Sequence, residues 1–535
     1  MDGHGGELAM AALQGFGVRE VFTLSGGHVF PFYDACVRQE LAIYDVRHEQ
    51  TAVFAAEGLA KLSRRPGVAV LTAGPGVTNG ISAMVTARFN GSPLVVLGGR
   101  APQARWGAGS LQELDHVPIV APVVKAASTV TATADIPRAV AAAAGTALTP
   151  HRGPVFLDFP MDVVFDRADA AIPAPSQPSG ADPDADLVGE AAAAIRAAAR
   201  PCLVAGSDVY WAGAWDALRH AVETLRVPAF ANGLGRGCLP PEHPLAFART
   251  RAALKSADVV VVAGAPLDFR LSFGRFGDAR VIHLIDDASE RAGHVPGALS
   301  IAGDLGAILA GLAAAGGPTT SHEPWIVQLR DDEAARRAAD EQLLTSSSDP
   351  IHPGRLYGEL RGRIGTDGVV IGDGGDFVSW AGRLVDSHRP GCWLDPGPYG
   401  CLGTGLGYAM AARVAHPDRA VVLMLGDGAA GFSLMDADSL VRHGLAVAIV
   451  VGNNGMWGLE KHPMQAIYGY DVAAELAPET RYDEVVRVLG GAGELVRRPE
   501  DVGPALDRAL ASGVPYLVNV ILDGEVAYPR TSSLA

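Results

Sequence analysis

Two short motifs in the last third of the chain pair a carboxylate with an amide. Ala420-Val-Val-Leu-Met-Leu-Gly-Asp-Gly428 ends an apolar run at Asp427, and Leu445-Ala-Val-Ala-Ile-Val-Val-Gly-Asn-Asn454 ends a second run at Asn454, 27 positions later. Short apolar runs bounded by glycine predict strands buried on both faces. The helix-length stretch between them, reaching Gly444, completes a β-α-β unit. A crossover of that length returns the second strand beside the first, so both side chains reach one site. A carboxylate and an amide oxygen are hard ligands suited to Mg²⁺ held against phosphate oxygens. Gly426 and Gly428 let a phosphate approach the backbone beside the N-terminus of the next helix. Either motif alone reads as an ordinary turn; their spacing makes them a candidate metal and diphosphate site.

The elements that must position these residues follow one grammar along the whole chain. Apolar runs at Val68–Leu71, Leu94–Leu97, Val155–Leu157, Val259–Ala263, Val281–Ile285, Val369–Ile371, Val421–Leu425 and Ala446–Val451 alternate with Ala-rich segments of helical period. Such alternation predicts parallel sheets with helices between the strands, and ligands outside the carboxyl ends of the strands. A Pro-rich polar stretch at 171–184 reads as a linker. A second break runs from 316–321 to 346–350 and encloses a charged helix around Trp325–Leu344. The expected architecture is α/β, with three doubly wound parallel-sheet domains at residues 1–170, 185–316 and 350–535.

Composition excludes several classes. The 535 residues are 48% hydrophobic and 19% charged, a globular balance, and the formal charge is −16. Only Lys61, Lys125, Lys255 and Lys461 are lysines and no basic run occurs, so no nucleic-acid partner is expected. No apolar stretch reaches 18 residues, so no membrane span is expected, and the N-terminus lacks the pattern of a signal peptide. Five scattered cysteines, none spaced C-x-x-C, argue against a disulfide framework. A cytoplasmic, multidomain protein is expected.

The Gly-Asp-Gly motif followed after 24 residues by Asn-Asn resembles the signature of thiamine-diphosphate enzymes. The resemblance implies thiamine diphosphate and Mg²⁺ as cofactors, with Asp427 and Asn454 as side-chain metal ligands and Met456 as a backbone one. Val46-Arg-His-Glu-Gln-Thr-Ala-Val-Phe-Ala-Ala-Glu-Gly-Leu-Ala60 resembles the pyrimidine-domain motif of the same superfamily. It implies Glu49 as the carboxylate that hydrogen-bonds the aminopyrimidine and starts ylide formation, with Glu57 structural. The segments Leu71–Asn79, Gly91–Gly99 and Gly153–Asp162 follow the family pattern. Gly400-Cys-Leu-Gly-Thr-Gly-Leu-Gly-Tyr408 implies Leu402 beneath the cofactor, and Gly26, Gly74, Gly426, Gly428 and Asn453 are assigned to its surroundings. The three domains become pyrimidine-binding, central nucleotide- or CoA-binding-like, and diphosphate-binding. Because the cofactor in this superfamily bridges two subunits, a homodimer is the minimum and a tetramer the usual assembly.

Two reactions compete. Gly264-Ala-Pro-Leu-Asp-Phe-Arg-Leu-Ser-Phe-Gly274 resembles the pattern of bacterial 2-hydroxyacyl-CoA lyases and their oxalyl-CoA decarboxylase relatives. Other segments depart from the synthase pattern: the one after Leu239-Pro-Pro-Glu-His-Pro244 lacks the element typical of flavin-binding synthases, Ser25-Gly-Gly-His28 has a His where synthases have a small residue, and Gly455–Pro463 is unlike the synthase loop, while the C-terminal tail is as expected of lyase-like members. This implies cleavage of the C1–C2 bond of a 2-hydroxyacyl-CoA to formyl-CoA and an aldehyde or ketone. Glu460 is nominated as the base, with His28 and Gln112 orienting the oxygens. The central domain, near Asp286 and Asp287, is left open to ADP or the ADP part of CoA, and FAD is not expected. Arg530 in the tail is a candidate contact for CoA phosphates. The alternative is an acetolactate synthase or another 2-oxoacid decarboxylase or carboligase.

Overall fold

The computed structural model describes residues 1–529 except 177 and 179; Arg530 lies outside them. Three parallel sheets carry the chain. The first orders its strands Ala42–Asp45, Glu20–Thr23, Gly67–Leu71, Leu94–Arg100, Pro154–Pro160 and Ala126–Thr129. The third orders Trp393–Leu394, Val369–Asp373, Val421–Gly426, Ala448–Asn453, Tyr516–Ile521 and Ala492–Val496. Numbered within each sheet in chain order, both run 2-1-3-4-6-5. The central sheet, five strands between Pro201 and Ala302, runs 2-1-3-4-5. Each sheet therefore has a point where successive connections leave in opposite directions, between its first and third strands, and a crevice opens there at the carboxyl ends.

The apolar runs became strands because both faces are covered: Val68–Leu71, Val259–Ala263, Val369–Ile371 and Val421–Leu425 are all buried. The charged segment forms the helix Glu323–Leu344. One local expectation needs correction. The segment between the two motifs is no single helix but Asp427–Ser433, a 3₁₀ turn at Leu434–Asp436, and Ala437–Arg442. The break places the buried carboxylate of Asp436 against the first domain, where it accepts from Arg47 N–H at 2.7 Å and Thr51 Oγ1 at 2.6 Å.

The first and third domains meet along the helices Glu49–Ser63 and Gly405–Ala415. Small residues allow the approach: a Cβ on Gly407 would lie 2.8 Å from Phe54 Cβ, and one on Gly58 3.0 Å from Ala411 Cβ. Inside this seam Glu57 is fully buried, with Lys61 Nζ at 3.1 Å and a hydrogen bond from Tyr408 Oη at 2.7 Å. Asn90 and Ser92 also donate to it, which makes Glu57 structural as expected. No described helix is long and apolar enough to cross a membrane.

Candidate active site

The third sheet's crevice holds the first site. Asp427 follows the strand Val421–Gly426 directly and opens the next helix, while Asn454 follows the neighbouring strand Ala448–Asn453. Both line one cleft with Gly374, Gly375, Gly426, Gly428, Leu402, Met456, Trp457 and Glu460. The Asp427 carboxylate is fixed by two backbone donors, Gly428 N–H at 3.0 Å and Gly455 N–H at 2.7 Å. Burial nevertheless pushes its pKa up to about 6, because the charged form of a carboxylate loses hydration when kept from water.

The glycines have distinct tasks. A Cβ on Gly426 would meet nothing within 4 Å, so its surface is open floor for a ligand. A Cβ on Gly428 would lie 2.4 Å from the Trp457 ring, so this glycine admits the indole instead. Leu402 lines the cleft, and its loop is held from below: Gly403 N–H and Gly405 N–H donate to the buried Asp373 at 3.1 and 2.9 Å. The Asn453 side chain turns away from the cleft. Its amide donates to Thr480 O and Asn519 Oδ1, both at 3.1 Å. Glu460 stands exposed at the cleft wall, and its neighbour Lys461 pairs with Glu475 rather than with it.

The first sheet's crevice holds the second site. Glu49 begins its helix behind His48, whose ring caps Gln50 N–H at 3.1 Å. The Glu49 side chain is buried and accepts from Asn79 Nδ2 at 3.0 Å. Beside this crevice a pocket is lined by Ser25–His28, Thr72, Arg105, Ser110–Gln112 and Met161. His28 Nδ1 lies 3.1 Å from Thr72 Oγ1, and burial lowers its pKa, which favours the neutral ring. Gln112 shares the pocket in a left-handed backbone conformation, φ 58°. Gly26 lies under Thr72, with room for no Cβ, and Gly74 packs against Gln112. Glu49 is not among the described residues that line the Asp427 cleft.

Family comparison decides what the two crevices have in common. Residues 3–119 match the model described as thiamine pyrophosphate enzyme, N-terminal TPP binding domain, 188–312 the central domain, and 373–520 the C-terminal TPP binding domain. The chain belongs to the thiamine pyrophosphate enzyme family. Among relatives, a "probable acetolactate synthase" of Mycobacterium bovis is 51% identical, covering 99% of this chain and 98% of its own length. An "acetolactate synthase large subunit" of Mycobacterium tuberculosis has the same figures. A "2-hydroxyacyl-CoA lyase 2" of Caenorhabditis elegans is 34% identical over 97% of this chain and 89% of its own length.

The residues present fit the cofactor of a thiamine pyrophosphate enzyme. Open floor at Gly426, a helix start at Asp427 and a carboxylate–amide donor pair suit a diphosphate and a divalent cation. Sequence reasoning passed over Asp373, Asn79, Trp457 and His116. Asp373 carried a usable signal, since like Asp427 it is the Asp of a Gly-Asp-Gly that follows an apolar run. Asn79 closed a segment that follows the family pattern, but neither it nor His116 could be paired with its partner, which is distant in the chain.

A third cavity lies between the first domain and the central sheet, walled by Arg88, Lys125, His151 and Arg152 of the first and by Asp208 and Arg270 of the central domain. Asp286 is engaged there by His151 Nδ1 at 3.2 Å, and Asp287 caps the turn at Ser289 N–H.

Proposed function

We propose that the chain is a thiamine-diphosphate- and Mg²⁺-dependent 2-oxoacid decarboxylase and carboligase of the acetolactate synthase kind. Its support is the 51% identity, over nearly the whole chain, to two relatives that carry that name. This reverses the order in which the motifs ranked the two reactions. The lyase-named relatives stand near one third identity.

In this reading Asp427, Asn454 and the Met456 carbonyl would hold Mg²⁺, and Leu402 would pack against the cofactor. Bound thiamine diphosphate supplies a nucleophilic carbon and an electron sink. Glu49, buried and hydrogen-bonded by Asn79, exchanges the proton that activates the pyrimidine. His28 and Gln112, facing one pocket, orient substrate oxygens. That Glu49 does not line the Asp427 cleft of its own chain supports a working unit of at least two copies, with domains at 1–170, 185–316 and 350–535.

Glu460 favours the second reading. A carboxylate at the cleft wall, six positions past Asn454 and not held by Lys461, suits a base for the hydroxyl of a 2-hydroxyacyl-CoA. That reading gives the cationic wall of the third cavity to ADP or the ADP part of CoA.

One experiment separates them. The purified protein with thiamine diphosphate and Mg²⁺ is given pyruvate in one tube and a panel of 2-hydroxyacyl-CoAs in another, with products followed by mass. Acetolactate that vanishes in Glu49→Gln is expected. Formyl-CoA without acetolactate would overturn the synthase in favour of the lyase.

A further inference from the structure

His116 is a fully buried histidine that the cofactor chemistry does not call for. It follows the loop that carries Gln112 and precedes the short helix Val117–Val120. Its ring spans two partners. Gly74 N–H donates to Nε2 at 2.9 Å, and Nδ1 lies 3.0 Å from Asp158 Oδ2. A backbone N–H can only donate, so Nε2 is the bare nitrogen and the proton sits on Nδ1, donated to Asp158. Arg100 fixes that carboxylate in turn, with its guanidinium 3.0 Å from the same oxygen. One tautomer and one ring orientation are thereby specified.

Two site elements hang on the Gly74 end of this chain. Gly74 has φ 58° and ψ −115°, which favours glycine, and a Cβ there would lie 2.9 Å from Gln112 Cβ. Its carbonyl accepts Val77 N–H and Thr78 N–H, both at 3.1 Å, and so starts the helix Pro75–Asn79. The last residue of that helix, Asn79, holds Glu49. Among the described residues no side chain other than His116 hydrogen-bonds the Gly74 backbone.

We infer that His116, oriented by Asp158, is a positioning residue that holds the Gly74 turn and through it sets both the Asn79–Glu49 hydrogen bond and the place of Gln112. The inference rests on the reading of Glu49 as the activating carboxylate. It names no substrate, so it stands apart from the choice between synthase and lyase.

Two variants and two readouts test it. His116→Phe keeps a ring but no acceptor, whereas His116→Gln keeps an oxygen that can accept from Gly74. The first readout is amide deuterium exchange of a peptide covering residues 72–80 in cofactor-free protein of native fold and assembly. Exchange about tenfold faster in His116→Phe, and near wild type in His116→Gln, is expected. The second is exchange of the thiazolium C2 proton of bound thiamine diphosphate, without substrate. A fall of about 10- to 100-fold in His116→Phe, largely recovered in His116→Gln, is expected from misplacement of a catalytic group.

Both rates within twofold of wild type in a folded His116→Phe would overturn the inference. Faster amide exchange with unchanged C2 exchange would overturn its link to Glu49. Should His116→Phe not fold, Asp158→Asn takes its place under the same two outcomes. If Glu49→Gln leaves C2 exchange unchanged, the Glu49 reading fails, while the amide exchange still judges whether His116 holds the turn.

Discussion

Asn79 Nδ2 donates to Glu49 Oε2 at 3.0 Å across the crevice of the first sheet. In the proposed reading, the carboxylate that trades a proton with the cofactor is thus held at one oxygen, by a neutral amide that cannot take the proton itself. Glu49→Gln is expected to slow C2 proton exchange of bound thiamine diphosphate by about 10²–10⁴-fold, the usual share of a general acid–base group. Asn79→Ala, which removes only the orienting hydrogen bond, is expected to cost about tenfold. Proton exchange followed by NMR at constant cofactor saturation checks both; an Asn79→Ala rate equal to wild type would remove its orienting role.

With Asp427 as the proposed metal ligand, cofactor binding is expected to have a pH edge. Burial raises this carboxyl to about 6 in the free protein, and a metal ligand must be ionised. Protons therefore compete with Mg²⁺ below that value. Affinity for thiamine diphosphate with Mg²⁺ is expected to be flat above pH 7 and to weaken by up to about tenfold per unit below pH 6. The sign for folding is the reverse: the folded state prefers the proton, so the group's contribution to stability falls as pH rises from 3.8 through about 6. Calorimetric titration at several pH values checks the edge, which Asp427→Asn should abolish together with most of the affinity.

The two glycines beside Asp427 should fail in different ways. Gly426→Ala puts a methyl on open floor, so stability is expected within about 0.5 kcal/mol of wild type while cofactor affinity drops. Gly428→Ala drives a methyl into the Trp457 ring, an overpacking cost of about 1–3 kcal/mol without any ligand. Chemical denaturation of cofactor-free protein, paired with binding, separates them. Equal destabilisation by both would contradict the open floor at Gly426.

The seam between the first and third domains is sensitive to a single charge. Lys61→Met strands the buried Glu57 and is expected to cost about 3–5 kcal/mol, whereas Glu57→Leu with Lys61→Met should cost less than Lys61→Met alone. Denaturant midpoints of the two variants check the order. A double variant worse than the single one would mean that Asn90, Ser92 and Tyr408 need the carboxylate more than the charge pair does.

Much of the site was legible because its signals are local. Asp427 and Asn454 each follow an apolar run, and a β-α-β crossover has a standard length, so their meeting in one cleft could be read from spacing. Glu49 at a helix start was equally local. Asn453 was misleading for the same reason. It is adjacent to Asn454, but successive side chains of an extended segment point to opposite sides, and its amide goes to Thr480 and Asn519.

The amino-acid sequence by itself determined the three parallel sheets and the carboxylate–amide pair, since apolar periodicity and glycine punctuation act over a few residues, and the resemblance of its motifs pointed to the family. Tertiary structure alone decided which side chains serve those residues. Asn79 reaches Glu49 across 30 positions, His116 reaches Gly74 across 42, and Asp373 carries the Leu402 loop across 30. Such partners are set by strand order at the crevices, where parallel crossovers bring distant loops to one sheet edge. A hydrogen bond between two such loops depends on their separation in space and leaves no periodic trace along the chain.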